Sequence, residues 1–94
     1  MVETDGVYRI NSHVAFRTFG KELVVVDTLG QRLLRLNATG ALVFRLLDAG
    51  QGLPEVAAAV ARAFDTSVEQ ARIDALSFIE ELEKRGLVER RVTT

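Results

Sequence analysis

The chain contains no cysteine and no tryptophan, and only one proline, one methionine, one tyrosine and one histidine among its 94 residues. Without cysteine there can be no disulfide and no thiolate metal site, and a reducing compartment is permitted. The lone histidine, His13, sits in the turn-like stretch Asn11-Ser12-His13 and offers no second imidazole for a metal. No serine has a suitably spaced base, so nucleophilic catalysis has no candidate, and the expectation is a non-enzyme with no cofactor. No segment approaches the roughly 20 apolar residues that a bilayer requires. The beginning, MVETDGVYRI, is acidic and lacks the basic start and apolar run of a signal peptide, so a cytoplasmic protein without membrane attachment is expected. Neither sign of charge dominates: 12 basic against 13 acidic residues leave a net −1, which supplies no whole-chain attraction for nucleic acid or anionic lipid.

What is present is an ordinary globular composition, 48% hydrophobic and 27% charged, of a length that suits one domain. The organising stretch is Asp27 to Ala41, DTLGQRLLRLNATGA. Arg32-Leu33-Leu34-Arg35-Leu36 reads as a strand entered from a turn at Leu29-Gly30. It runs into Asn37-Ala38-Thr39-Gly40, a helix start whose Asn and Thr types can cap free N–H groups. Before this junction the chain reads as β, and after it nearly all reads as helix. The strand is then the last of its sheet, and in a simple meander it lies on an edge with unpaired backbone groups.

Residues 1–12 read as a flexible extension and 13–90 as the folded domain, with Val7 to Ile10 as a short extended piece of that extension. Val14 to Phe19 alternates as a strand, and Gly20-Lys21 supplies a tight reversal. Glu22 to Asp27, ELVVVD, is a β-branched run suited to the middle of a sheet or to burial on both faces. A first helix runs from Ala38 or Thr39 to Asp48 and stops at Gly50. A second begins at Pro54, which fits a first helical turn, and carries an apolar stripe ending at Phe64. The third opens on the capping box Ser67-Val68-Glu69-Gln70 and closes at Gly86. The fold class is α+β, a three-stranded antiparallel meander followed by three helices, resembling a winged helix-turn-helix. Arg91 to Thr94 are expected to fray.

At about 100° per residue, Val68, Ala71, Ala75, Phe78, Ile79 and Leu82 gather on the core face of the third helix. Ile73 falls outside this stripe and Leu76 on its shoulder; with Arg72, Glu69 and Glu80 they make a second, mixed surface. Either Ile73 is a scattered surface residue, or Ile73 and Leu76 form one wall of a groove. A DNA-reading helix should carry Lys and Arg. From Asp65 to Glu83, however, Asp65, Glu69, Asp74, Glu80, Glu81 and Glu83 stand against the single base Arg72, so duplex DNA is repelled. The Gly50-Gln51-Gly52 run follows a helix rather than a strand and is a poor phosphate loop.

The run Val25-Val26-Asp27 … Leu36-Asn37-Ala38-Thr39-Gly40-Ala41 … Leu46-Leu47-Asp48-Ala49-Gly50 resembles the PqqD-like family, the RiPP recognition elements. Val56-Ala57, Phe64-Asp65 and Leu82-Glu83-Lys84-Arg85-Gly86-Leu87-Val88 carry the same resemblance, which covers about Val14 to Glu89. It implies a non-catalytic domain that binds the leader segment of a ribosomally made precursor peptide. The leader is then presented to a modifying enzyme, a radical SAM protein or a leader peptidase. It also implies that the leader adds as a strand to the third strand and lies against the third helix. On this sequence those positions are Gln31, Arg32, Leu33, Leu34, Arg35 and Leu36, with Arg72, Ile73 and Leu76 on the helix. Leu33 and Leu34 point to opposite faces, as do neighbouring members of the Arg32–Arg35 run, so one leucine lines the groove and one arginine is free to meet an acidic leader residue; the sequence leaves open which. The rival architecture is a small homodimer in which a second copy fills the open edge by pairing or domain swapping.

Overall fold

The computed structural model describes residues 7–90; the expected loose ends, Met1 to Gly6 and Arg91 to Thr94, lie outside the described residues. In chain order the elements are β1 (Tyr8–Ile10), β2 (Val14–Phe19), β3 (Glu22–Asp27), β4 (Arg32–Leu36), α1 (Ala38–Asp48), α2 (Leu53–Phe64), α3 (Val68–Lys84) and β5 (Val88–Arg90). Strands β2, β3 and β4 form an antiparallel meander in that order, and three helices follow.

Local chemistry explains the joints. Gly20 takes a positive φ of 61° in the two-residue turn between β2 and β3, the backbone that a tight hairpin needs at its first central position. Between β3 and β4 the Asp27 carboxylate accepts the amides of Leu29 and Gly30 at 3.1 and 3.0 Å, pinning the turn. Asn37 caps α1 by accepting the Gly40 amide at 3.0 Å, and Ser67 caps α3 by accepting that of Gln70 at 3.0 Å. The start of α2 is closed by the Gly52 amide donating to Glu55 Oε1 at 3.1 Å.

The alternation of β3 decides where the core lies. Leu23 and Val25 are buried with Leu36 of β4 against Val43, Phe44 and Leu47 of α1, while Val24 and Val26 face away and are only half-buried. ELVVVD is therefore a central strand covered by helices on one face. Phe16, opposite Val25 and thus on the same face, meets Phe44 edge-on, with ring centroids 4.9 Å apart.

Two expectations change. The extension expected over residues 1–12 does not stay loose along its whole length, because Tyr8–Ile10 pairs antiparallel with Val88–Arg90. Tyr8 is buried in the core and Arg90 lies over its ring, 5.7 Å from the centroid. Arg9 pairs with Glu89 across the same ladder. The extended piece read at Val7 to Ile10 is there, but its pairing is not legible locally, because the partner strand is some 80 residues away. On the helices, Val68 and Phe64 are exposed rather than part of the core stripe, since both sit at the α2–α3 corner where no element covers them.

Candidate peptide-binding groove

Strand β4 is an edge of the meander, and among the described residues no strand pairs with its outer side. The turn at Gly20-Lys21 closes on Phe19–Glu22, a pair that exchanges backbone hydrogen bonds. Alternation along an antiparallel ladder extends this to Arg17–Val24 and Ala15–Val26. The Thr28 amide, donating to the His13 carbonyl at 3.1 Å, continues the same series. Glu22, Val24 and Val26 thus bond to β2, and Leu23, Val25 and Asp27 turn their backbone groups to Leu36, Leu34 and Arg32 of β4. The N–H and C=O groups of Leu33 and Arg35 are left pointing to the open side.

A groove of about 330 Å³ runs between this edge and α3. Leu34, Arg35 and Leu36 border it on the strand side. Asp74, Ala75, Phe78, Glu81, Leu82 and Arg85 border it on α3, and Val43 and Val60 reach it from below. A smaller recess holding Arg32, Leu33 and Leu87 adjoins it and shares Leu34 and Arg85. The shared residues Leu34 and Arg85 place the C-terminal end of α3 beside the beginning of β4, where Arg32 lies. The floor is apolar and the rim carries charges of both signs. Glu81 accepts from Arg85 Nε at 3.2 Å, and Asp74 accepts from Gln70 Nε2 at 2.9 Å.

Gly40 shapes the floor. A Cβ there would stand 3.2 Å from Cζ of Phe78, tighter than ordinary contact, and 3.4 Å from Cβ of Leu36, at its lower limit. Its hydrogen lets the Phe78 ring lie down on the start of α1 and leaves the space above it open.

The alternatives among the strand residues are resolved by the register. Leu34 shares the face of Val25 and lines the groove, whereas Leu33 pairs with Val26 on the opposite face and is 66% exposed. Arg35 lies on that opposite face too, bound to Glu22 at 2.6 Å. Arg32 borders the recess beside Arg85, and Gln31 precedes it in the turn with a left-handed φ of 54°. Asp27, at the same end, is held below the usual carboxylate range. The Gly30 amide contributes most, followed by the Leu29 amide and the charges of His13 and Arg32, with partial burial opposing.

On α3 the strand and the three helix positions singled out from sequence do not come together. Arg72 and Ile73 are exposed, Ile73 at 59%, and Leu76 packs partly against the core; none of the three borders the groove. At about 100° per residue Arg72 and Leu76 lie to one side of the buried stripe Ala71, Ala75, Ile79 and Leu82 and Ile73 on the back of the helix, while the groove residues Asp74, Phe78, Glu81 and Arg85 lie to the other side. Periodicity marks both shoulders but says nothing about which one meets β4. Among the described residues no group of three His, Asp or Glu side chains is placed to hold a metal ion.

The fold has counterparts among solved structures. The chain superposes on TbiB1 in complex with the TbiA(beta) leader peptide with a TM-score of 0.82 at 21% identity, covering 86% of this chain and 94% of that one. It superposes on lasso peptide synthetase B1 complexed with the leader peptide with a TM-score of 0.81 at 19% identity, covering 88% and 98%. At these identities the likeness is one of fold. No curated protein sequence gives a significant match. Residues 22–88 match the family described as coenzyme PQQ synthesis protein D, PqqD, and since that stretch is most of the chain, the protein belongs to the PqqD family.

Proposed function

We propose that this protein is a non-catalytic adaptor that takes up the leader segment of a ribosomally synthesised precursor peptide as a fourth strand on β4. It holds the leader against α3 and presents it to a maturation enzyme, a radical SAM protein or a leader peptidase, in the cytoplasm and without a cofactor of its own. The observation that carries this reading is the outward-facing backbone of Leu33 and Arg35 beside a groove with an apolar floor. Membership of the PqqD family and a fold shared with two proteins complexed with leader peptides support it.

Strand addition supplies backbone hydrogen bonds with little sequence demand, and alternate side chains of the guest enter pockets that select it. A guest residue opposite Leu34 shares its face and points toward Leu36, Phe78 and Leu82. Guest residues opposite Leu33 and Arg35 point to the other face. Within the groove, Leu34, Leu36 and Phe78 supply apolar contact, and Arg32 and Arg85 stand where an acidic guest side chain would be received. No helix among the described residues is long and apolar enough to cross a membrane.

Amide hydrogen exchange followed by NMR, with and without a synthetic leader peptide of a cognate precursor, tests the reading. The Leu33 and Arg35 amides should exchange readily in the free protein and slow strongly in the complex, whereas Leu34 should be protected in both. A leader that binds without protecting Leu33 and Arg35 would place it elsewhere on the surface.

A further inference from the structure

Charged side chains along the groove stand in opposite pairs, with one exception. Arg85 donates to Glu81 at 3.2 Å, and Arg35 is bound to Glu22 at 2.6 Å on the opposite face. In the adjoining recess Arg32 stands opposite Asp27 across the ladder. Asp74 borders the same groove, and among the described residues no cation lies beside it. Its neighbours one turn away on α3 are Gln70, Ala71, Ser77 and Phe78, none of them charged. Gln70 Nε2 donates to Asp74 Oδ1 at 2.9 Å, and Oδ2 is left to accept from elsewhere.

Two contacts fix where Asp74 stands along the groove. Arg85 shares the recess with Arg32 at the beginning of β4. Phe78, about two turns earlier in α3, lies against Gly40, just past the end of β4. Asp74, one turn nearer the start of α3, is therefore at the exit of β4, roughly 16 Å from Arg85 at the helical rise. On a guest strand the inner-face positions opposite Arg32 and Leu36 are about 13 Å apart. The two spans agree to within the reach of one long side chain, so a guest residue opposite Leu36 meets Asp74.

We propose that Asp74 sets the charge specificity of the groove, selecting leaders with a lysine or arginine at the position opposite Leu36, two residues from the apolar side chain that faces Leu34. The proposal rests on the leader-adaptor reading and deepens it. The stem of the guest cation lies along the Phe78 ring, and its head reaches Oδ2 while Gln70 holds the carboxylate in place. A guest carboxylate there meets a like charge and is rejected. At the other end, Arg32 and Arg85 already face Asp27 and Glu81, so charge discriminates less. In the empty protein Asp74 is exposed and its field is screened by water. A bound strand covers the groove, and the interaction strengthens as water leaves.

The test titrates a synthetic leader peptide of a cognate precursor by calorimetry, with each lysine and arginine of the peptide replaced in turn by glutamine. Asp74→Asn should weaken the native peptide by about fivefold at low ionic strength, and by less at about 0.5 M salt. One peptide cation should lose affinity by the same factor on wild-type protein and by none on Asp74→Asn, the coupling expected of a direct pair. Asp74→Lys should prefer the peptide with glutamate at that position over the native one. Gln70→Ala should reduce the coupling to that cation and to no other. Unchanged affinity of the native peptide for folded Asp74→Asn overturns the proposal. So does a loss that no peptide cation shares, or a bound leader stretch that contains neither lysine nor arginine. A leader that fails to bind wild-type protein, or binds without protecting the Leu33 and Arg35 amides, refutes the adaptor reading itself, and that result is seen before any variant is made.

Discussion

Replacing Leu33 or Leu34 by proline should separate two effects that only the strand register distinguishes. Proline removes one backbone donor and is tolerated in sheets where that donor faces an open edge. The Leu34 amide points to β3, so Leu34→Pro breaks a ladder bond opposite Val25, one of the most buried residues of the fold. The bond itself contributes about 1 kcal/mol, the carbonyl left without its partner costs about 1–3 kcal/mol, and loss of a half-buried leucine adds about 2 kcal/mol. Against a total of about 5–15 kcal/mol for a domain of this size, roughly 4–6 kcal/mol is enough to unfold much of the population. The Leu33 amide points to the groove side, and its side chain is 66% exposed. Leu33→Pro should cost the free protein about 1 kcal/mol, mostly for the altered backbone angle. In the complex it removes one interchain hydrogen bond and strands a guest carbonyl, a loss of about 1–3 kcal/mol, or roughly fivefold to 150-fold in leader affinity. Urea denaturation gives the first quantity and calorimetric titration of the leader the second. A folded Leu33→Pro protein with unchanged leader affinity would refute strand addition on β4, and a stable Leu34→Pro protein would refute the register.

Gly40→Ala should push Phe78 up into the groove, because the added methyl meets the ring at 3.2 Å; leader affinity should fall about tenfold with a stability change under about 2 kcal/mol, and a crystal structure with an unmoved ring would contradict this. Phe78→Ala should weaken leader binding by more than 1 kcal/mol, as expected of a central interface residue, whereas Ile73→Ala should leave both leader affinity and stability within about 0.5 kcal/mol; titration and urea melts on the pair decide which shoulder of α3 the leader touches. Tyr8→Ala should cost about 3 kcal/mol by urea melt, comparable to other buried aromatics, if the β1–β5 pair is integral to the core. Asp27 has a folded pKa lowered chiefly by the Gly30 amide, so its contribution to stability is present above the unfolded carboxylate value of about 3.9 and is lost as pH falls through the lower folded value. Acid titrations of wild type and Asp27→Ala should differ above that window and converge below it.

Much of this protein follows from sequence because its signals are local. The turn at Gly20-Lys21, the caps at Asn37 and Ser67 and the 3.6-residue spacing of α1 and α3 act over a few residues, and the meander and three helices appear as expected. The edge position of β4 follows as well, since a strand that leads directly into a helix has no later neighbour in a meander. What sequence does not carry is long-range pairing and rotation. Tyr8–Ile10 is a strand only because Val88–Arg90 lies beside it, and three residues of alternation hold too little information to announce that partner. The buried stripe of α3 tells the helix which side faces the core, but the crossing geometry of α3 over β4 chooses Phe78 and Asp74 for the groove rather than Ile73. Likewise, period-two alternation says that Leu33 and Leu34 part company, and only the ladder with β3 sends Leu34 inward and turns the amide of Leu33 to the open edge. Local backbone preference determines the elements; packing between elements distant in the chain determines which of their faces meet.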